Sequence, residues 1–386
     1  MKKLILNLFL CVNVLLAVAQ LPEPILSFAT YVKPCSYYKQ QATLWKTETE
    51  KDKNNAYAWF NFYRATRNLV RTDTTDHRSQ ELKVKQQGDI IDEMEKAVPN
   101  SFDYHLAKWM HNGQNFDYIK HLQKAGELGQ NRTEHLSDMA GWGEIEGNRE
   151  KRNKYCKIWL EKGLVSPGLM YYNYNTLVGL KQNAIILTFG DNDTYPLWLL
   201  QSKGIRTDVT VINAYLFLID DYRNRVMKEL GTNYKPFIFK DTLNLSQEYD
   251  WFRTDLVKTL ATNKKGCPVN LVIGCDESYS KPIEADLYLC GLSYEYSKST
   301  LDNMAMLKKN FEQVYALDYL DKVFYKDISA EIVERSNLNY IVPMIKLYDH
   351  YLLSGEQQKA FTLRDKLLHI CAGMPEEVSI KAYLNQ

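Results

Sequence analysis

The residues best equipped for chemistry lie in one short run, Gly190-Asp191-Asn192-Asp193-Thr194. It directly follows the apolar stretch Ala184–Phe189. Asn213 closes a second apolar stretch, Val209–Ile212, and Asp276-Glu277 follow a third, Leu271–Ile273, after Gly274-Cys275. Oxygen groups gathered in this way can hold a hard divalent cation. They can also accept hydrogen bonds from sugar hydroxyls, or act as acid and base. The candidate ligand-binding residues are therefore Asp191, Asn192, Asp193, Thr194, Asn213, Asp276 and Glu277, with Asp191 and Asp193 the metal ligands if an ion is held. A plainer reading competes. Thr194 or Asp193 suits a helix N-cap, Pro196 a first helical turn and Gly190 a tight turn. That reading leaves Asp191 and Asn192 unexplained, so both stand.

The elements that position these residues follow from the apolar runs. Runs apolar throughout are buried on both faces, as parallel strands are. Leu287–Cys290 is a weaker fourth strand. The segments Pro196–Ser202, Tyr222–Leu230 and Tyr249–Thr262 alternate with the strands and read as helices. Alternation of this kind predicts a small Rossmann-like parallel-sheet module over residues 181–300. Ligands of such sheets bind beyond the carboxyl ends of the strands.

Helical periodicity governs the flanks. Tyr38, Ala42 and Trp45, then Ala56, Trp59 and Tyr63, then Ile91, Met94 and Val98, fall at helical spacing between polar breaks. Near the other end Met344, Leu347 and Tyr351 precede Gly355, and Ala360 and Leu367 follow it. This resembles one tetratricopeptide unit, although Tyr348 and Arg364 depart from its pattern. The expected class is mixed α and α/β: a tetratricopeptide-like α-solenoid over 20–180 and 301–386 flanking the sheet module. The tyrosine cluster Tyr171-Tyr172-Asn173-Tyr174 reads first as helix-pair core and second as a platform for stacking sugar rings.

Several activities are excluded. No histidine falls between residues 181 and 300, so a Ser-His-Asp triad within the module is impossible. No G-x-G-x-x-G follows a strand and no P-loop signature occurs. With 48 basic against 47 acidic side chains, the chain lacks the basic excess of a nucleic-acid binder. Its 18 glycines and 11 prolines are few for 386 residues, which suits a helical chain.

The stretch from Ala184 through Trp198, continuing with Gly204-Ile205-Arg206-Thr207-Asp208-Val209 and Val211-Ile212-Asn213, resembles a known bacterial family. It is similar to the soluble C-terminal part of large membrane proteins of a domain-of-unknown-function family, itself related to the eukaryotic transmembrane O-mannosyltransferases. The membrane-embedded transferase portion has no counterpart here, so the resemblance does not carry that activity over. It implies an extracytoplasmic module accompanied by tetratricopeptide-like helices.

The N-terminus agrees with export. Lys2-Lys3, the apolar run Leu4–Leu16 and Ala17-Val18-Ala19 form a cleavable secretory signal over residues 1–19. No later segment reaches membrane-spanning length. Of seven cysteines, six lie after this segment without any C-x-x-C, and one disulfide among them is compatible with an oxidising compartment. The expectation is a periplasmic or cell-surface scaffold that binds a protein partner through helical repeats, more a non-catalytic protein than an enzyme. No cofactor is expected, a divalent cation at the acidic run being the one candidate. The alternative is a glycan-binding or metal- or acid-dependent glycan-processing module working at that run.

Overall fold

A computed structural model describes residues 21–113, 115–236, 253–321 and 327–385. The predicted signal segment and the start of the predicted 249–262 helix lie outside them. The chain divides into two compact units, one of residues 21–28 and 32–135, the other of 29–31 and 136–385.

The first unit is helical. Its helices are α1 (Cys35–Lys51), α2 (Ala56–Thr72), α3 (Gln80–Ala97), α4 (Phe102–His111) and α5 (Ile119–Leu128). Asn55, Ser79 and Ser101 cap α2, α3 and α4 by accepting a backbone N–H with their side chains. Each such cap contributes about 1 kcal/mol. α1 packs on α2 around Tyr38, Trp45, Ala58 and Ala65, and Ile25 from the preceding segment completes this core. Small residues facing large ones, here Ala58 and Ala65 at 0% exposure, let the two helices approach closely.

The second unit begins with α6 (Leu136–Ile145), α7 (Arg149–Glu161) and α8 (Pro167–Val178). Strands and helices then alternate: β1 (Ile185–Thr188), α9 (Asp191–Ser202), β2 (Thr210–Asn213), α10 (Asp220–Leu230), α11 (Leu256–Leu260), β3 (Val269–Val272), α12 (Glu277–Ser280), β4 (Leu287–Leu289) and β5 (Ser293–Tyr296). It closes with α13 (Asn303–Lys309), α14 (Asp318–Asp321), α15 (Ala330–Asn337), α16 (Ile341–Leu353), α17 (Gln357–Cys371) and α18 (Glu377–Leu384). α16 and α17 form a hairpin about Gly355, whose φ of +77° suits glycine. Ala360 and Leu367 are fully buried there, with Met344 and Leu347.

The sheet order is β2-β1-β3-β5-β4. β1 runs parallel to β2 and β3, pairing Leu187 with Ile212 and with Leu271. β5 runs antiparallel to both β3 and β4. The sheet is thus mixed, which corrects the expectation of a purely parallel one. β5 escapes the apolar-run criterion because Glu295 is buried in it, paired with Lys181 at 2.8 Å. The hairpin into β5 turns at Gly291, whose φ is +137° and where any Cβ would collide with the Tyr315 hydroxyl. β1 and β3 are buried along their whole length. The core around them takes in Leu197, Trp198 and Leu199 of α9, Tyr222 and Val226 of α10, and Leu256 and Leu260 of α11. Among the described residues no helix is long and apolar enough to cross a membrane, and the six described cysteines are all unpaired.

Candidate functional site

The acidic run is not a loop. Gly190 is the N-cap of α9, with extended backbone, and Asp191-Asn192-Asp193-Thr194 form the first helical turn. This corrects the placement of the cap at Asp193 or Thr194. Asp193 instead occupies the third helical position and folds back. Its Oδ1 accepts the Gly190 N–H at 2.6 Å and its Oδ2 the Phe189 N–H at 2.8 Å. This is the carboxylate half of a capping box. Burial pushes the Asp193 acid up to about 6, against the pull of those amides, and the Asp191 charge adds to the rise.

Thr194 is equally committed. Its hydroxyl donates to the Gly190 carbonyl at 2.6 Å, lies 2.6 Å from the Thr188 hydroxyl and accepts from Asn213 Nδ2 at 2.9 Å. Asn213 in turn accepts the Tyr215 N–H at 2.9 Å and starts the 3-10 turn Ala214–Leu218. Three of the sequence candidates therefore lock β1, β2 and α9 together, with none of their polar atoms reserved for a ligand.

Pro196 lies inside α9, not in its first turn. A proline there cannot donate to the carbonyl four residues back, that of Asn192. Asn173 on α8 supplies the missing donor: its Nδ2 reaches the Asn192 carbonyl at 2.9 Å and that of Leu169 at 2.9 Å. Asn173 is fully buried. Asn173→Ala should thus strand the Asn192 carbonyl and cost about 1–3 kcal/mol. Urea titration of the variant reads this directly, and a loss below about 0.5 kcal/mol would refute the compensation.

Arg206 fixes the far end of the same element pair. It grips Asp208 with two bonds of 2.9 Å and donates to the carbonyls of Leu177, Leu180 and Lys181 at the end of α8. Its carboxylate partner is thus Asp208, two residues along the chain.

What remains for a ligand is a cleft of about 520 Å³ at the carboxyl ends of β1 and β3. Asp191, Asn192, the back-folded Asp193 and Asp276 line one part of it, and Phe189, Tyr172 and Tyr215 another. Ser336 and Asn339, from the end of α15 and the turn after it, form the opposite wall. Asn339 Nδ2 donates to the Tyr172 hydroxyl at 2.8 Å. Gly274 lets it come close, since a Cβ there would fall 3.2 Å from that nitrogen. Tyr215 is 47% exposed and meets Phe189 edge-on, with centroids 6.4 Å apart. Asp276 accepts the Ser278 N–H at 2.8 Å, and the Ser278 hydroxyl, followed by this N–H, holds its acid below the usual range. Glu277 is not part of the cleft; it lines a separate cavity with Lys281 and Lys346. None of the described residues lining the cleft is basic. Among the described residues no three His, Cys, Asp or Glu side chains are grouped to hold a metal ion.

Sequence reasoning missed Ser336 and Asn339, which reach the cleft from more than 60 residues after β3. Tyr172 carried a signal, as part of the tyrosine cluster weighed for stacking.

Residues 170–237 match the family model described as TMEM260-associated domain 2. The match begins in α8, continues through β1, α9 and β2, and ends after α10, so it contains the capped acidic turn. It is consistent with the resemblance to the O-mannosyltransferase-related family. No curated protein matches the chain.

Proposed function

We propose that this chain is an exported cell-envelope interaction protein whose sheet unit holds a small saccharide in the strand-end cleft. The observation that carries the reading is the lining of that cleft. The exposed ring of Tyr215, with the largely buried Phe189 and Tyr172 beside it, adjoins planar polar groups at Asp191, Asn192, Asp276 and Asn339. Sugars need both kinds of group, an apolar face for ring C–H groups and fixed acceptors and donors for hydroxyls. The absence of basic side chains from the described lining disfavours a phosphorylated or otherwise anionic ligand.

Binding is favoured over processing. A glycan hydrolase works with a pair of carboxyl groups flanking the scissile bond. Asp193 spends both oxygens on backbone amides and Asp276 caps α12, so neither is placed as the second carboxyl of such a pair. The same engagement argues against a cation held between Asp191 and Asp193. The protein-partner role of the helical hairpins, and their kinship with tetratricopeptide repeats, rest on the buried pattern of α16–α17 and on the α1–α2 pair. Export rests on the N-terminal segment alone, and N-terminal sequencing of protein from the cell envelope should start at Gln20.

The test is a thermal-shift panel of neutral, acidic and amino sugars, with calcium and magnesium as separate arms. A neutral sugar should raise the melting temperature of the wild type, while Tyr215→Ala and Asp191→Asn should each abolish most of the rise. A rise with a cation alone would replace the saccharide reading with a metal one. No rise with any sugar, or equal rises in both variants, would remove the cleft as the site.

A further inference from the structure

His105 of α4 and His121 of α5 face each other through their Nδ1 atoms, 2.8 Å apart, with ring centroids at 5.0 Å. Both rings are partly buried. A bond of this kind needs one nitrogen to donate and the other to accept. The pair keeps the bond when neutral, and keeps it when one proton is added, because the remaining neutral ring still accepts. A second proton places N–H against N–H at that distance and two cations side by side. We propose that the His105–His121 pair is an acid-operated latch that holds the α4–α5 hairpin shut and releases it when both rings are charged.

The surroundings resist the second charge. α5 presents Lys120, Lys124 and Glu127 to the pair, α4 presents Lys108, and α3 presents Glu95. Glu95 is itself engaged by Lys108 at 3.2 Å and by the Tyr104 hydroxyl, so it neutralises the rings only in part. Arg67 of α2, which packs on α4, acts on His111 rather than on the pair. Tyr104 and Tyr118 cover His121 with ring centroids at 5.7 and 6.3 Å. Burial, and then the His121 charge, bring the His105 imidazole down to about 4, and burial followed by Lys120 and Lys108 lowers His121. The ordinary value for both is 6.5. A ring freed by opening therefore gains its proton more readily than one held in the latch, and opening grows as pH falls from 6.5 towards 4. What opening exposes is apolar: Leu106, Ala107, Leu122 and Ala125 are fully buried along this hairpin.

Hydrogen–deuterium exchange of the full chain at pH 6.5 and pH 4, corrected for the intrinsic rate, tests the latch. Opening of peptides from 102–128 should rise about a hundredfold in the wild type, up to tenfold per pH unit. Peptides from α1 and α2 should change far less. His105→Gln and His121→Gln, which never hold two cations, should each show under a tenth of that rise. Equal opening in wild type and variants, or a wild type that does not respond, overturns the proposal. Should either variant fail to fold at pH 7, imidazole titration of the wild type by NMR decides. Two separated steps for His105 and His121 support the latch, and one common step near 6.5 refutes it.

Discussion

Arg223→Ala is expected to lower the stability of the sheet unit by about 2–4 kcal/mol, mainly from the lost packing and the stranded Phe217 carbonyl, since its partner Asp220 is partly exposed. Arg223 is 0% exposed. It pairs with Asp220 on the first turn of α10, donates to the Phe217 carbonyl at 2.6 Å and donates to the Tyr234 hydroxyl at 2.8 Å. Phe217 belongs to the 3-10 turn that also carries Tyr215, so the guanidinium fixes the aromatic rim of the cleft. Its loss would leave a buried carbonyl unpaired and open a void beside Tyr222. Arg223→Met should recover the packing but not the bonds, and so only a minor part of the loss. Urea unfolding of both variants measures this. A loss under about 1 kcal/mol for Arg223→Ala would mean that Arg223 does not anchor this turn.

Mild acid should move the two units in opposite directions. Four histidines of the first unit, His105, His111, His121 and His135, have imidazoles lowered chiefly by burial. A group that is harder to protonate when folded favours the unfolded chain once pH drops below its unfolded value. For His105, held at about 4 against 6.5, stability falls from pH 6.5 down to about 4. With screening by water at this half-buried ring, its share of the loss by pH 5 is about 1 kcal/mol. Asp103 of the same unit has its acid raised by burial and offsets part of this. Asp193 in the second unit works the other way. Its acid sits at about 6 when folded and at 3.8 otherwise. The folded unit therefore takes up a proton first, and stability rises as pH falls through 6 towards 4. The gain is about 1–2 kcal/mol by pH 5. Asp208 and Glu356, whose acids are held at about 2, begin to withdraw support only below their ordinary values of 3.8 and 4.5. Calorimetry at pH 7 and pH 5, with exchange mass spectrometry assigning each transition, should show the residue 32–135 transition falling while that of 136–385 holds or rises. Parallel falls in both would contradict the burial of Asp193.

The strands β1, β2 and β3 were legible because continuous apolar runs buried on both faces have few other solutions. β5 was not, because Ser293, Tyr294, Glu295 and Tyr296 alternate and their one charge is satisfied by Lys181, far away in the chain. The composition of the acidic run marks the cleft, but the division of the run between cap and helix is not legible in it. Gly190 caps without a side chain, and Pro196 mimicked a helix start because its compensating donor, Asn173, lies on a different helix. Asp191, Asn192, Asp193 and Asp276 were legible as cleft residues, whereas the wall built by Ser336 and Asn339 depends on how the chain returns to the strand ends.

A glycan array probed with the full chain and with Tyr215→Ala is the sharpest test of the proposed saccharide site in the strand-end cleft. The wild type should retain one class of uncharged glycan, and Tyr215→Ala should lose at least tenfold in signal at equal protein, since one aromatic stacking face contributes about 1.4 kcal/mol or more. Retention of no glycan by the wild type, or an unchanged pattern in the variant, would contradict the account.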